Sequence, residues 1–206
     1  MTMDHSPIEV FTQWALEGRD KGMENGHAQS VEVMISKALT RMGKPFKSVD
    51  VGCGNGWAVR KLSKLSNCAS SMGVDGSSAM IDKAKKIDPE GQYQVGRLPG
   101  WTPIEKVDLV FSMEFIYYLE NPFEFIKSTY DNWLLDGGTI AIGMDHYLEN
   151  ETSLSWPDSM NLKMATWSIR DWLFEFKRAG FTNLEHYQTG RKENWSGTLI
   201  ILGTKE

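Results

Sequence analysis

Cysteine is scarce in this chain. Cys53 and Cys68 are the two among 206 residues, and they stand in no metal-ligand spacing. That argues against a disulfide scaffold and a zinc site, fits a reducing cytoplasm, and leaves no metal site to be read from the sequence. Long apolar runs are also missing: no stretch approaches the ~20 residues that a membrane helix needs. Residues 1–10 carry Asp4, His5, Pro7 and Glu9, with no basic start and no apolar centre, so no secretory signal is read there. Positive charge is in deficit. Lys and Arg number 22 against 27 Asp and Glu, a net charge of -5. Nucleic acid is a disfavoured partner on that balance, because non-specific phosphate affinity comes mostly from Lys and Arg. No repeat, low-complexity tract or linker divides the chain, and its length fits one domain, residues 1–206.

What the sequence does contain is alternation of strand and helix. Residues 7–41 read as helical, with Val31, Met34, Ile35, Ala38 and Leu39 at helical spacing, interrupted by a turn-prone patch at 18–26. A short buried strand at 47–51 is followed by a glycine loop at 52–56 and a helix at 57–65. A second strand at 72–74 ends on Asp75, and Ser77 or Ser78 caps a helix running to about 87. Further strands are expected at 93–95 and 107–113, a helix at 122–134 opened by Pro122, a turn at 136–138, and a strand at 139–144. Ser168 caps a helix to Ala179 that Gly180 stops, and strands at 183–188 and 198–203 follow. Such alternation implies a doubly wound α/β fold, a parallel sheet covered on both faces. The last two strands have only a loop between them, so one strand near the C-terminal edge must run in reverse. Residues 147–161 read as a long loop and possible lid.

The chemistry concentrates at Val49-Asp50-Val51-Gly52-Cys53-Gly54-Asn55-Gly56. A buried strand feeds a loop with glycine at every second position, where a ligand can approach the backbone closely. In a doubly wound sheet this loop lies at the C-terminal strand edge, where ligands bind. Asp75, nineteen residues after Gly56, ends the second strand. A carboxylate there can accept hydrogen bonds from both hydroxyls of a ribose.

Together the segments Asp50 to Gly56, Gly73-Val74-Asp75-Gly76-Ser77 and Asp108-Leu109-Val110-Phe111-Ser112 resemble the successive motifs of class I S-adenosylmethionine-dependent methyltransferases. Leu134-Leu135-Asp136-Gly137-Gly138 is similar to that family's later Leu-Lys-Pro-Gly-Gly turn, and the resemblance runs from about residue 47 to 206. It implies a Rossmann-like, mostly parallel seven-stranded sheet with the last strand antiparallel, and S-adenosyl-L-methionine as cofactor, with S-adenosyl-L-homocysteine as product. It implies that Asp50, Gly52, Cys53, Gly54, Asn55 and Gly56 line the methionine and ribose part, their backbone amides cradling the sulfonium compound, with Asp75 and Gly76 at the ribose. Met80, one turn into the next helix, could touch adenine. Arg97 and Leu98 occupy the region where many members bind adenine, though those members often have an acid there and this chain has Gly96 and Arg97. Ser112 and Met113, followed by Glu114, Tyr117 and Tyr118, end the fourth strand beside the expected sulfonium. The Asn/Asp-Pro-Pro-aromatic pattern of base-amino methylation is missing there.

Residues 1–46 are expected to be an N-terminal helical cover on this site, with Trp14, Arg19 and His27 facing cofactor or substrate; an ordinary surface helix is the other reading. His146, just after the fifth strand, is a candidate general base, with Glu114 as another, and Tyr117 a candidate to orient the acceptor. The preferred function is methyl transfer to a small-molecule acceptor. A protein acceptor and a non-catalytic cofactor-binding module stay open as alternatives. A nicotinamide-dependent oxidoreductase is disfavoured by the alternating glycines and the reversed final strand.

Overall fold

The computed structural model describes residues 6–43 and 45–206. His5 and the start of the 1–10 segment lie outside the described residues. A seven-stranded sheet with the order β3-β2-β1-β4-β5-β7-β6 forms the centre. Its strands are β1 (Phe46–Val51), β2 (Cys68–Asp75), β3 (Gln92–Val95), β4 (Val107–Met113), β5 (Leu134–Met144), β6 (Thr182–Thr189) and β7 (Thr198–Thr204). The pairs from β3 through β5 are parallel, and β7 runs antiparallel to both β5 and β6. The helices are α1 (Pro7–Glu17), α2 (Lys21–Leu39), α3 (Trp57–Ser63), α4 (Ser78–Ile87), α5 (Pro122–Ser128), α6 (Trp156–Met160) and α7 (Ile169–Ala179). Strand order reverses between β1 and β4, and a doubly wound sheet opens a crevice at that point.

Local chemistry sets most boundaries. Ser6 and Glu9 form a capping box at the start of α1, Pro7 takes its first turn, and Gly18 ends it in the left-handed region. Ser168 and Asp171 form the same box on α7, and Gly180 closes that helix. Central strands are buried on both faces. Val49, Val51, Val110, Ile140, Ile142, Leu199 and Ile201 fill one side, and Phe46, Leu109, Phe111, Ala141, Ile200 and Leu202 face α2 and α3 on the other.

Four expectations need correction. The turn-prone patch at 18–26 shrinks to Gly18–Asp20, and Gly22, Asn25 and Gly26 are helical within α2. The cause is tertiary: Val31, Met34, Ile35 and Ala38 of the same helix are buried against the sheet, which outweighs the roughly 1 kcal/mol cost of each helical glycine. The helix from Pro122 stops at Ser128 and passes through a π-helical turn, Thr129–Trp133. Asp136-Gly137-Gly138 is part of the long strand β5 because it pairs with the chain end: Gly137 N–H donates to the Lys205 carbonyl at 2.7 Å, and Lys205 N–H to Gly138 at 2.9 Å. The 147–161 segment is no free lid. It holds a 3-10 turn and α6, and it is pinned by Tyr147, whose buried hydroxyl donates to Gly197 O at 2.9 Å, and by Asn150, which donates to Asp145 O at 2.7 Å.

Between α1 and α2, Asp20 is 1% exposed. It accepts from Lys83 Nζ at 2.5 Å and from Asn55 Nδ2 at 2.8 Å, tying the helical hairpin to α4 and to the loop after β1. Removing one partner of a buried ion pair strands the other charge. Lys83 keeps some contact with water, so Asp20→Ala is expected to cost about 3 kcal/mol of stability, at the low end for buried pairs. Urea unfolding measures it, and a loss within the ±0.5 kcal/mol of an ordinary surface change would show that the tie is dispensable.

Candidate functional site

At the exit of β1 the chain turns through three glycines with positive φ, Gly52 at 71°, Gly54 at 53° and Gly56 at 79°. Each has its own reason. A Cβ on Gly52 would stand 2.7 Å from the Phe115 side chain, and one on Gly56 would stand 2.4 Å from the Tyr93 ring. At Gly54 the nearest atom would be Met80 Sδ at 4.0 Å, so this glycine keeps its face open to the cleft. Four of the five loop amides are already committed. Gly52 and Cys53 N–H both donate to Val74 O, Gly56 N–H donates to Cys53 O, and Gly54 N–H donates to Asp75 Oδ2 at 2.9 Å. The expected cradle of free amides is therefore corrected: the loop has close approach and carbonyl oxygens left to offer, which suits a cationic ligand better than an anionic one.

Asp75 is the centre of this edge. Its Oδ2 holds Gly54 and its Oδ1 accepts from Ser77 N–H at 2.8 Å, so each oxygen keeps one lone pair for a further donor. Burial lifts its pKa, and the two amide bonds pull against that lift. Ser77 Oγ caps α4 and meets Thr12 Oγ1 at 2.8 Å, which docks α1 along the mouth.

A cleft of about 500 Å³ opens here, within the range of small-molecule sites. Gly52, Gly54, Asp75, Gly76 and Met80 form its inner side. Ile8 and Phe11 of α1, Met23 of α2, and Phe115, Tyr118 and Leu119 after β4 form its walls. Glu120, Asn121 and Glu124 stand at the rim. A narrow recess shares Met23, Gly52, Gly54 and Glu114 with the cleft and adds Asp20, His27, Asp50, Cys53, Asn55, Trp57 and Met113.

The structure thus brings together Asp50, Gly52, Cys53, Gly54, Asn55, Asp75, Gly76, Met80, Leu98, Met113, His27, Glu114 and Tyr118 around one continuous space. Others fall elsewhere. Gly56 serves the packing of Tyr93. Arg97 is exposed while its neighbours Gly96 and Leu98 line the cleft. Ser112 is buried and donates to Val51 O at 2.7 Å, locking β4 to β1. Trp14 and Arg19 do not line the cleft, because α1 turns Ile8 and Phe11 inward; the Arg19 guanidinium lies over the Trp14 ring at 4.5 Å, with its side chain 58% exposed. Tyr117 is buried behind Glu114 and donates to its Oε2 at 2.7 Å.

His146 does not fit the role of base. It is fully buried, its Nδ1 is 3.0 Å from Ser153 O and its Nε2 is 2.8 Å from Thr166 Oγ1, so both ring nitrogens are engaged. Burial lowers its pKa. Its neighbour Asp145 stands directly against the recess-lining His27, with Oδ2 3.5 Å from His27 Nδ1. Sequence reading missed Asp145, Asp20, Ile8, Phe11, Met23 and Phe115. The 3.6-residue repeat of α1 marks Ile8 and Phe11 as one face but does not say what that face covers.

Buried acids dominate the electrostatics. Burial, with Asp75 nearby, pushes Asp50 up to about 8. Burial and the Asp145 carboxylate push Glu114 well above the carboxylate range. A cationic ligand would favour the ionised forms.

Residues 49–142 match the family model described as a methyltransferase domain. Together with the seven-stranded topology already described, that match makes the chain similar to the class I methyltransferases, whose fold it has. It is similar to the trans-aconitate 2-methyltransferases of Rhizobium rhizogenes, 27% identical over 61% of this chain and 50% of that enzyme, and of Escherichia coli, 30% identical over 48% and 40%. The chain spans about half or less of the length of these curated relatives. Among solved structures it resembles the methyltransferase component of a complex with the Haloferax volcanii Trm112 methyltransferase activator, with TM-score 0.82, 26% identity, and coverage of 95% of this chain and 96% of that one. The fold is shared with the N-methyltransferase NodS of Bradyrhizobium japonicum, solved with S-adenosyl-L-homocysteine, at TM-score 0.69, 17% identity and 86% coverage of each chain.

S-adenosylmethionine, the family's cofactor, fits what is present: an open glycine face, a carboxylate with two spare lone pairs, and a buried acid awaiting a positive charge. If a cation binds ionised Asp50, its affinity rises with pH, by at most about tenfold per unit, until about 8, and then levels. The ligand's own amine also titrates, so the measurement is S-adenosylmethionine affinity from pH 6 to 9 in wild type relative to Asp50→Asn. A pH-independent ratio would remove Asp50 from ligand binding.

Proposed function

We propose that this chain transfers a methyl group from S-adenosylmethionine to a small-molecule acceptor, and that α1 and α2 act as the cover over a single-domain site. The observation that carries the reading is Asp75: a half-buried carboxylate, fixed by Gly54 and Ser77, at the inner end of a cleft walled by Phe11, Phe115, Tyr118 and Leu119. S-adenosylmethionine supplies an electrophilic methyl group when bound. Asp75 has the geometry to accept from a pair of hydroxyls. Gly54 gives close approach, and Met80 and Leu98 give apolar surface on the same side.

The acceptor would enter past the rim. Phe11 packs edge-on against Tyr118 with ring centroids 5.2 Å apart, so α1 and the segment after β4 build one aromatic wall. Such a wall excludes water and orients an acceptor, and alignment is the main demand of a displacement at a good leaving group. The rim acids Glu120 and Glu124, with Glu114 deeper in, disfavour a polycarboxylate acceptor of the kind named for the trans-aconitate relatives. A neutral or cationic small molecule suits the site better. Two free cysteines agree with a reducing compartment such as the cytoplasm, and among the described residues no helix is long and apolar enough to cross a membrane.

The test is direct. S-adenosylmethionine and S-adenosylhomocysteine should each raise the melting temperature. Asp75→Ala, checked for folding by circular dichroism, should weaken S-adenosylhomocysteine binding by roughly 30-fold or more, the loss of two hydrogen bonds to a charged group. Label from methyl-labelled cofactor should appear in the small-molecule fraction of a cell extract, with the chain alone or with an activator of the Trm112 kind, since the Haloferax relative was solved with one. No thermal shift with either nucleoside, or label in protein alone, would overturn the proposal.

A further inference from the structure

We propose that His27, Glu114 and Asp145 bind one divalent transition-metal ion, of the Mn²⁺ or Zn²⁺ class, at the deep end of the cleft. Three elements that are remote in sequence converge here: α2 brings His27, the exit of β4 brings Glu114, and the exit of β5 brings Asp145. One ligand atom from each lies within 4.8 Å of the others. His27 Nδ1 and Asp145 Oδ2 are 3.5 Å apart, close to the roughly 3.4 Å between two ligands each about 2.1 Å from a tetrahedral ion.

Two orphaned atoms point to a missing partner. His27 Nδ1 meets no hydrogen-bond geometry beyond its 3.5 Å approach to Asp145 Oδ2, and Asp145 Oδ1 is likewise buried without a well-formed hydrogen bond, with the Thr198 side chain its neighbour and the Asp145 side chain only 7% exposed. Buried polar atoms nearly always find partners, and a bound ion is one of the recognised explanations when they do not. Glu114 is held as ligating carboxylates usually are. Tyr117 O–H donates to its Oε2 and Asp145 N–H to its Oε1, which leaves one lone pair on each oxygen. A divalent ion would balance the two carboxylates. One imidazole with two carboxylates suits Mn²⁺ or Zn²⁺ better than Ca²⁺ or Mg²⁺, which favour oxygen-only ligands. Three protein ligands leave a position open, and His27 and Glu114 line the recess into which it would open. An oxygen or nitrogen of the acceptor could occupy it. That role rests on the methyl-transfer reading; the ion site itself does not.

The experiment uses the full chain, stripped with a chelator and titrated with Mn²⁺ alone, the free ion being followed by electron paramagnetic resonance. Zn²⁺ is tested by competition and by its effect on the melting temperature. The expected result is one ion per chain and a higher melting temperature. Asp145→Asn and His27→Ala should each weaken binding by roughly 100-fold, Tyr117→Phe by roughly 10-fold through Glu114, and the exposed Glu90→Gln by nothing measurable. Absence of saturable Mn²⁺ or Zn²⁺ binding to wild type, or equal binding by the folded Asp145→Asn and His27→Ala variants, would overturn the proposal. S-adenosylhomocysteine affinity of the same metal-free protein separates the two readings. Nucleoside binding without metal binding overturns the ion site alone, and metal binding without nucleoside binding upholds it while overturning the methyl-transfer reading.

Discussion

The Asp75 carboxylate holds the site together. Its two oxygens each take a backbone N–H, one from the loop after β1 and one from the start of α4. Two segments that follow neighbouring strands are thereby fixed relative to each other by one side chain. The glycine loop could not hold its shape on local preferences alone, because three positive-φ residues in five carry a large entropic cost. Asp75, the Val74 carbonyl and the Phe115 and Tyr93 rings together define that shape from outside.

From that edge the rest of the cleft follows by contact. Ser77, placed by Asp75, meets Thr12 and so sets α1 against α4, which brings Ile8 and Phe11 over the cleft. Asp20 then bonds Lys83 of α4 and Asn55 of the glycine loop, which fixes where α2 begins. With α2 so placed, His27 reaches the recess two turns later. The helical hairpin is thus coupled to the glycine loop through polar ties, and a ligand in the loop would be felt by α1 and α2.

How much of this could be read from the sequence depends on the range of the determining interaction. Strand β4 and helix α7 appear with their observed bounds because their signals are local: a run of buried apolar residues, and a Ser168 cap closed by Gly180. The loop after β1 and the aspartate that ends β2 were legible because glycine spacing and strand ends are written consecutively. Residues whose role depends on what packs against them were not. His146 sits one position from Asp145, and sequence adjacency cannot tell which of two neighbours turns inward. Only the convergence of Ser153 and Thr166 on both nitrogens of His146 shows it to be structural. Arg19 stood out for its charge, yet Trp14 of the preceding helix α1 draws its guanidinium away from the cleft. Free loop amides were expected because glycine loops often offer them, but the Val74 carbonyl from the neighbouring strand had already taken two.

Acid is in surplus at the site. Asp20, Asp50, Asp75 and Glu114 line the cleft or its recess and Asp145 stands against His27, and among these acids Asp20 has the Lys83 ammonium as counter-charge while Asp145 meets an imidazole whose pKa burial lowers. Burying unpaired carboxylates costs several kcal/mol each unless they take up protons. The shifts run that way, with Asp50 raised to about 8 and Glu114 and Asp75 also raised. With a pKa of about 8, Asp50 is largely protonated at neutral pH, and a cation bound beside it would favour loss of that proton. A positive ligand would gain from release of the Asp50 proton, and a neutral or anionic competitor would not. The same logic reaches the recess, where His27 and two carboxylates have the composition to hold a cation of their own beside the first.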